Sequence, residues 1–221
     1  MHSREIASKS AARRFFITGT DTGVGKTTVS ALLCAALGAI YWKPIQTGTR
    51  DGTDRSTVIR LANLSRSRAR PETYRFGPPV SPHLAAQRAR VRIELRKIRL
   101  PKIAPHENLI VEGAGGVLVP INSTRLMTDL MSHLRLPVLL VARTSLGTIN
   151  HTLLSIAALR AAHLDLRGVI MVGKPNRENR RAIEHYGKIE VVGSVPPLKK
   201  MNRAVFLEIF RRNFNREAFI P

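Results

Sequence analysis

Short apolar runs alternate with helix-length segments along most of the chain. Runs such as RFFITG, ENLIVE and LPVLLVA are nearly continuous in apolar residues. Runs of this kind are typical of strands in a parallel sheet that is buried on both faces. Between them, segments such as TTVSALLCAALG and INHTLLSIAALRAAH have the length and periodicity of helices. The alternation predicts an α/β fold with one doubly wound, mostly parallel sheet flanked by helices.

Three further segments complete the predicted organisation. Residues 87–102, QRARVRIELRKIRLPK, alternate like a strand, but Val91, Leu95 and Ile98 also share a helical face, and we expect an exposed helix there. The stretch AVFLEIFRRNFNREAF has the spacing of an amphipathic helix that covers one edge of the sheet. Residues 1–14 lack the apolar core of a secretory signal and are expected to form a disordered extension. A single domain is then predicted over residues 15–221.

Composition narrows the class of protein. The chain has 221 residues, is 43% hydrophobic, and has no apolar run near the roughly 20 residues that a bilayer-spanning helix needs. Its one cysteine, Cys34, excludes an intramolecular disulfide and suits a reducing compartment. Cys34 lies inside an apolar run, where a small buried core residue is expected. We therefore expect a cytoplasmic protein without a membrane segment.

The net charge of +21 is unusual for a chain of this length. An excess of this size can indicate nucleic-acid or anionic-surface binding, or simply a solvated basic face. The arginines are scattered over 50–99 and 177–216, with no interleaved aromatic residues and no zinc-finger, RNP or basic-zipper pattern. The pattern argues against specific nucleic-acid recognition and leaves the charge without an assigned purpose.

The stretch FFITGTDTGVGKTTV, residues 15–29, has the features of a phosphate-binding loop. A buried strand leads into a glycine-rich turn, and the turn opens a helix at Gly25-Lys26-Thr27. Backbone N–H groups in such a loop turn inward around phosphates, and the helix N-terminus adds a favourable field. We expect the loop to cradle a nucleotide with Lys26 on its β- and γ-phosphates and Thr27 on Mg²⁺. The backbone contacts would come from residues Gly23, Val24, Gly25 and Thr28. Thr20 occupies the position of the usual first glycine, so the loop is a variant.

Two other predicted strands end in polar residues. Lys43 follows the run AIYW, and Glu112 ends the run LIVE ahead of three glycines in GAGG. Ligands of open α/β sheets bind outside the carboxyl ends of the strands, so both side chains can point into such a crevice. An acidic residue at this position commonly holds the magnesium of a bound nucleotide. Asp54 can add a second carboxylate, although a surface lysine and a turn aspartate remain open alternatives for Lys43 and Asp54.

These pieces together resemble the dethiobiotin synthetase family. The matching segments are GTDTGVGKT (19–27), KPIQTG (43–48), SPH (81–83), VEGAGG (111–116) and LGTINH (146–151), in the order of that family. The resemblance extends over about residues 15–200. It implies a P-loop NTPase fold and an ATP-dependent ring closure of 7,8-diaminopelargonate with CO₂ or bicarbonate to dethiobiotin. The implied path passes through a carbamate and a carbamic–phosphoric anhydride.

The resemblance also implies roles for individual residues. Lys26 and Lys43 would flank the carbamate and the γ-phosphate, and Thr22 and Thr47 would bind the substrate. Magnesium would be held by Thr27, Asp54 and Glu112. The glycine-rich segment after Glu112, with Gly113, Ala114 and Gly115, would approach the nucleotide.

Two more implied features concern the substrate tail and the base. The segment Leu146, Gly147, Thr148, Ile149 and Asn150 resembles one that binds the substrate carboxylate from the neighbouring subunit, which implies a homodimer with a shared active site. The family commonly has asparagine at the position of Gly173 to read adenine. Glycine has no side chain to do so, and base contacts would fall to the backbone of Gly173 and to the loop of Pro196, Pro197 and Leu198.

Other nucleotide-binding classes share parts of this pattern. A dimeric partitioning ATPase of the ParA/MinD type would suit the variant loop and the positive charge, and could bind DNA non-specifically. Its signature lysine, however, falls on Asp21 here, and KPIQTG and LGTINH do not belong to that group. A GTP-dependent switch or metallochaperone lacks support because there is no NKxD-type guanine reader and no paired histidine spacing.

Overall fold

The computed structural model describes residues 12–50 and 52–219. Its strands are β1 Arg14–Gly19, β2 Ile40–Trp42, β3 Ile45–Gln46, β4 Ala69–Arg70, β5 Tyr74–Arg75, β6 Leu109–Glu112, β7 Val138–Arg143, β8 Leu166–Val172 and β9 Val191–Val195. Its α-helices are α1 Lys26–Leu37, α2 Asp54–Ala62, α3 Pro82–Arg88, α4 Met127–Leu134, α5 Thr148–Ala161, α6 Arg177–Gly187 and α7 Arg203–Asn213. Seven strands form one sheet in the order β4-β2-β6-β1-β7-β8-β9, and every pair in it is parallel. The predicted fold class is confirmed.

The sheet separates two apolar cores. Successive residues of β1 point to opposite faces, as in any strand. Phe16 packs on one face with Trp42 and Val111. Ile17 packs on the other face with the apolar residues of α1 and with Leu139. Because both faces are covered, the central strands need apolar residues at every position, which explains their unbroken hydrophobic runs.

Helix α1 follows β1 directly and has the predicted start. It begins at Lys26 after Gly25, which has a φ of 101°, and it ends at Gly38, which has a φ of 58°. Both values lie in the left-handed region that glycine adopts without steric cost. Cys34 is fully buried in this helix, as expected, and burial raises the pKa of its thiol well above the ordinary value.

The C-terminal helix was predicted in the right place but is shorter than the apolar pattern. Helix α7 ends at Asn213, and Phe214 is extended and pairs with Gly193 of the edge strand β9. A Cβ atom at Gly193 would lie 2.3 Å from the Phe214 ring, so glycine is needed at this contact. Phe214 and Phe219 then pack against Phe210 of α7 at ring-centroid distances of 5.3 and 5.5 Å. The aromatic residues therefore close one edge of the sheet, although only part of the segment is helical.

The prediction of a helix over residues 87–102 is wrong. Helix α3 ends at Arg88, and the remainder is irregular apart from a 3₁₀ turn at Leu95–Lys97. The reason is that Ile93 and Ile98 are both fully buried, in a spacing that suits neither one strand face nor one helix face. The backbone carbonyl of Ile93 accepts a hydrogen bond from the Asn122 side chain at 2.7 Å, which fixes the segment on the core.

Residues 1–11 of the predicted N-terminal extension lie outside the described residues, and Arg14 is already part of β1. Within 12–50 and 52–219, no helix is long and apolar enough to cross a membrane.

Candidate active site

A cleft lies at the carboxyl ends of β1, β2 and β6. Lys26 follows β1 through the glycine-rich loop, Lys43 follows β2, and Glu112 ends β6. Since these strands are neighbours in the parallel sheet, their ends bring the three side chains together. The cleft has a volume of about 580 Å³. Its walls contain most of the predicted site residues, namely Thr22, Gly23, Gly25, Lys26, Thr27, Thr28, Lys43, Thr47, Asp54, Glu112, Ala114 and Gly115.

The loop that carries Lys26 has the shape of a phosphate cradle. Gly23 and Gly25 have φ values of 73° and 101°, which turn the chain sharply into the first turn of α1. The first N–H groups of a helix have no partner within the helix, and the residues of this first turn, Lys26, Thr27 and Thr28, line the cleft. Anions are stabilised at such a helix end. The arrangement suits the phosphate chain of a nucleotide.

Lys26 is buried, with 7% of its surface exposed, even though it is the cation of this loop. Its Nζ donates to the carbonyl of Asp21 at 2.8 Å. Burial lowers the pKa of Lys26 to about 8, although the negative charge of Glu112 opposes this shift. A neighbouring phosphate would favour the charged form of this ammonium.

Lys43 lies between two carboxylates at the other side of the cleft. Its Nζ is 2.5 Å from Asp54 Oδ2 and 3.0 Å from Glu112 Oε1. The Thr27 hydroxyl is 2.9 Å from both Asp54 Oδ1 and Glu112 Oε1. Four side chains from α1, α2 and the ends of β2 and β6 therefore form one connected polar cluster.

The opposite charges in this cluster stabilise the charged forms of Lys43 and Asp54. Burial by itself would lower the pKa of Lys43, but the negative charges of Glu112 and Asp54 outweigh it and raise that pKa. Burial by itself would raise the pKa of Asp54, but the Lys43 ammonium and the hydrogen bond from Thr27 lower it. Lys43 is therefore cationic and Asp54 anionic at neutral pH.

Two further residues, Tyr41 and Gln46, contact the cluster in ways that the sequence did not predict. The Tyr41 hydroxyl, fully buried, donates to Glu112 Oε2 at 2.9 Å. The Gln46 side-chain carbonyl accepts from the backbone N–H of Asp54 at 3.1 Å, where α2 begins. Tyr41 resembles an ordinary core residue of β2, and Gln46 differs little from any polar residue after a strand. Gln46 belongs to the KPIQTG segment, but neither contact can be predicted locally, because each joins residues from different elements.

The oxygen atoms of the cluster suit a magnesium ion. Mg²⁺ prefers oxygen ligands, binds through one or two carboxylates, and takes its remaining positions from water and substrate phosphates. Thr27, Asp54 and Glu112 bring one hydroxyl and two carboxylates together beside the phosphate cradle. No group of three or more His, Cys, Asp or Glu side chains that could hold a metal occurs in the described ranges. The donor set therefore fits a cation that is shared with a nucleotide.

Two of the residues predicted to contact the nucleotide, Val24 and Gly113, take part in core packing. The Val24 side chain is buried in the core beside Gly19. A Cβ atom at Gly113 would lie 2.9 Å from the Phe16 ring, so this glycine allows β6 and β1 to pack closely. Both residues therefore support the cleft through the packing beneath it.

The predicted base-binding residues lie beside the cleft, at the ends of β8 and β9. Gly173 lines a separate cavity of about 440 Å³ together with polar residues that include Thr144 and Asn176. The Gly173 N–H donates to the Val195 carbonyl at 2.9 Å, so this N–H is engaged in the sheet. A Cβ atom at Gly173 would lie 2.3 Å from Thr144 Oγ1, which shows why a side chain is not accommodated in this conformation. The loop Pro196–Leu198 follows β9 immediately.

The LGTINH segment forms a helix N-terminus, as its position after an apolar strand predicts. Gly147 caps α5 with a φ of 86°, and Leu146 is fully exposed ahead of it. The Thr148 side chain is buried and donates to the Arg143 carbonyl at 2.5 Å, and its N–H donates to Ser145. The N–H groups of Ile149 and Asn150, which have no earlier helical carbonyl to bind, are the donors that remain for a ligand.

Comparison with known proteins identifies the family. The AAA domain family matches residues 13–205. The ATP-dependent dethiobiotin synthetase BioD of Rhodopseudomonas palustris is 47% identical over 204 residues, covering 92% of this chain and 95% of that protein. The chain belongs to the family of ATP-dependent dethiobiotin synthetases. Synthetases of the same name from Nitrobacter hamburgensis and Brucella melitensis are 46% and 44% identical, each over at least 93% of this chain.

Solved structures show that this synthetase fold is shared with other P-loop proteins. A ParA family ATPase from Chlorobium tepidum has a TM-score of 0.55 at 14% identity and covers 91% of both chains. The MinC:MinD cell division complex of Aquifex aeolicus gives a TM-score of 0.52 at 18% identity, with 89% of this chain and 85% of that chain covered. At these identities the likeness concerns the fold alone. The resemblance stated from the sequence motifs is confirmed by the close relatives.

Proposed function

We propose that this chain closes the ureido ring of dethiobiotin from 7,8-diaminopelargonate, CO₂ and ATP. One amine combines with CO₂ to give a carbamate, and a carbamate oxygen attacks the γ-phosphorus of ATP to release ADP. The second amine then attacks the carbonyl carbon of the mixed anhydride, closes the ring and expels phosphate. The observation that carries the proposal is the meeting of Lys26, Lys43 and the Asp54–Glu112 pair in one cleft.

Phosphoryl transfer of this kind is catalysed chiefly by positioning and by fixed charges around the transferred group. Lys26, at the start of α1, would bind the β- and γ-phosphates together with the N–H groups of the loop. Lys43 lies across the cleft and would bind the carbamate, so that a cation stands on each side of the transferring phosphoryl group. Such preorganised cations stabilise the charge that develops in the transition state.

The Mg²⁺ in this proposal would be held by Thr27, Asp54 and Glu112. When bound, it would neutralise charge on the β- and γ-phosphate oxygens. Thr22 and Thr47 also line the cleft and would donate hydrogen bonds to the substrate. Ser81 lines the same wall, and its hydroxyl lies 3.0 Å from the ring of His83 in the SPH segment.

The substrate tail requires a carboxylate site at some distance from the reacting amines. The first turn of α5 offers the N–H groups of Ile149 and Asn150, and we assign the carboxylate of a neighbouring subunit's substrate to them. Support for a dimer comes from a depression of about 470 Å³ beside this helix. It is bordered by Leu118 and Leu154, which are 55% and 62% exposed. Apolar side chains with this exposure are suited to a subunit interface.

Purified protein incubated with diaminopelargonate, ¹³C-bicarbonate, Mg²⁺ and ATP tests the reaction. Mass spectrometry should detect dethiobiotin that carries one ¹³C atom, and ADP should form in equal amount. Leaving out the diamine should abolish steady ADP formation. ADP production that is independent of the diamine, without labelled dethiobiotin, would contradict the proposal.

A partitioning ATPase of the ParA/MinD type is the alternative that the sequence raised. Its support is the variant loop, the positive charge and a likeness of fold at 14% and 18% identity. Asp21, at the position of the signature lysine, forms an ion pair with Arg143 at 2.9 Å. The same incubation separates the two functions, because ADP formation that responds to DNA and not to the diamine would favour the alternative.

A further inference from the structure

Lys43 occupies the position in which a cation is needed between the two carboxylates. Asp54 and Glu112 lie close enough to share the hydroxyl of Thr27, with both distances at 2.9 Å. Two like charges this close repel each other unless a cation lies between them. The Lys43 ammonium, at 2.5 and 3.0 Å from them, supplies that charge.

The oxygen atoms that Lys43 binds belong to the residues that fit magnesium. Glu112 Oε1 accepts from both Thr27 and Lys43, so a divalent cation that uses this atom must compete with the ammonium. Lys43 and Glu112 are largely closed to water, with side chains 7% and 0% exposed, whereas the Asp54 side chain is 29% exposed. Screening by solvent is weak there, and an ammonium and a divalent cation would repel each other strongly.

The second oxygen of Glu112 is held by the buried hydroxyl of Tyr41 at 2.9 Å. This hydrogen bond fixes the carboxylate so that Oε1 is the atom turned towards Thr27 and Lys43. Tyr41 is not among the described residues that line the cleft, and its hydroxyl binds Glu112, so its effect on the site passes through Glu112.

We propose that Lys43 is the resident counter-ion of Asp54 and Glu112, that Tyr41 positions Glu112 for it, and that Mg²⁺ binding and the release of Lys43 into the cleft are one coupled event. The inference rests on the proposed function for the later role of Lys43, which is to bind the carbamate. It adds that the ammonium is withheld from substrate until the metal of the nucleotide is in place. Lys43 is thus a competitor of the metal before it is a catalytic group.

Mn²⁺, read directly by electron paramagnetic resonance, is the probe for this competition in the nucleotide-free protein. Lys43→Met should bind Mn²⁺ roughly tenfold or more tightly than the wild type, because a close charge has been removed from the metal's carboxylates. Lys26→Met is the matched control. It removes the same charge from the same cleft, but the Lys26 ammonium binds the Asp21 carbonyl and neither carboxylate. Its affinity gain should stay below about threefold, as expected of a more distant charge.

Unchanged or weaker Mn²⁺ binding by a folded Lys43→Met chain would overturn the proposal, as would an equal gain in Lys26→Met. Lys43→Met leaves two buried carboxylates without a partner, so we expect a lower melting temperature in EDTA. Mn²⁺ should then raise the melting temperature of this variant more than that of the wild type. The same thermal shift in both proteins would count against competition, even if the variant is too unstable for titration.

The positioning role of Tyr41 has its own pair of variants. In the Lys43→Met background, Tyr41→Phe should weaken Mn²⁺ binding several-fold, because Glu112 loses the hydrogen bond that orients it. Tyr74→Phe is the control, since that hydroxyl accepts from the Glu94 N–H, outside the cluster. Equal effects of the two tyrosine variants would remove Tyr41 from the proposal.

The outcome is separate from that of the dethiobiotin assay. A wild type that makes dethiobiotin, with no gain of Mn²⁺ affinity in Lys43→Met, would refute the counter-ion role alone. A wild type that makes no dethiobiotin would refute the reaction, while the metal competition would still be decided by the spectroscopic titration.

Discussion

The two lysines of the cleft have different surroundings, and their variants should fail in different ways. The Lys26 ammonium donates to the loop carbonyl of Asp21, a neutral partner that an incoming phosphate can replace. Lys26→Ala removes a cation from the transferring group and should reduce turnover on the order of 10²-fold or more, the scale of one preorganised transition-state contact. Dethiobiotin formation under saturating substrates measures this. Near-normal turnover in a variant with wild-type circular dichroism would contradict the phosphate-loop assignment.

Lys43→Ala should impair turnover without weakening nucleotide binding. We place Lys43 on the carbamate side of the cleft, and its ammonium contacts Asp54 and Glu112. Calorimetry with ATP and Mg²⁺ should therefore give an affinity no weaker than that of the wild type, while dethiobiotin formation falls steeply. A loss of ATP affinity combined with normal turnover of bound substrate would show that Lys43 has been given the wrong role.

Gly173 leads to a prediction about the base. A site discriminates strongly against a wrong base only if buried polar groups are left unpaired by it. Gly173 has no side chain, and its N–H is already bound to Val195, so the contacts that this position can offer a base reduce to its carbonyl, next to the predicted Pro196–Leu198 loop. We expect CTP or GTP to bind within roughly tenfold of ATP, about 1.4 kcal/mol. Competition binding with the three nucleotides tests this, and a preference for ATP above roughly a thousandfold would refute it.

At the scale of residues, the sequence indicated those that sit at strand ends or in a glycine-rich loop. Lys26, Lys43 and Glu112 meet because their strands are neighbours in a parallel sheet. The apolar pattern predicts the parallel sheet, whereas the order of its strands comes from the structure. The Tyr41–Glu112 and Gln46–Asp54 contacts could not be predicted in this way. They depend on side-chain orientation across elements, which leaves no periodic trace in a single sequence.

At the scale of elements, length and burial decided what could be predicted. The central strands were visible because burial on both faces makes them continuously apolar. The strands β4 and β5 have two residues each, which is too short for any periodicity to show. The helix predicted over residues 87–102 is absent because Ile93 and Ile98 anchor an irregular chain. Two buried residues five positions apart fit neither the helical nor the strand periodicity.

The anchoring of this segment can be tested by stability. Ile98 is fully buried in the core and should cost about 2–5 kcal/mol of the free energy of unfolding when changed to alanine, the usual range for such truncations. Val91, in the same segment, is 45% exposed and provides the control. Val91→Ala should change the free energy of unfolding by less than about 0.5 kcal/mol, as surface substitutions do. Urea unfolding measures both, and equal effects would contradict the anchored arrangement.

At the scale of the whole molecule, most of the large positive net charge comes from residues outside the active-site cleft. The cations of the cleft are Lys26 and Lys43, and Lys43 is neutralised by its carboxylate partners. The arginines of the irregular segment, such as Arg90, Arg92 and Arg99, are exposed. Summed positive charge raises the local concentration of anionic ligands, and both ATP and the amino-acid substrate carry negative groups. The positive net charge is therefore compatible with the anionic substrates proposed, but it does not select among anionic ligands.

The proposed dimer rests on one segment and on the surface beside it. Its sequence signal was LGTINH, and the structure turns this segment into an exposed helix N-terminus next to a shallow apolar depression. Sedimentation at working concentrations should give the mass of two chains.

Complementation between two inactive chains tests whether the sites are shared. Asn150 is exposed, and an acidic residue there favours the helix end while repelling a substrate carboxylate, so Asn150→Glu should fold but lose activity. Thr148 is a poorer choice, because its side chain is buried. In a heterodimer with Lys26→Ala, one of the two sites combines an intact phosphate loop with an intact α5, and the other has both defects. Heterodimers purified by two tags should therefore recover about half of the wild-type turnover, since sites that act independently contribute separately. A monomeric active enzyme, or verified heterodimers that stay inactive, would mean that each chain completes its own site.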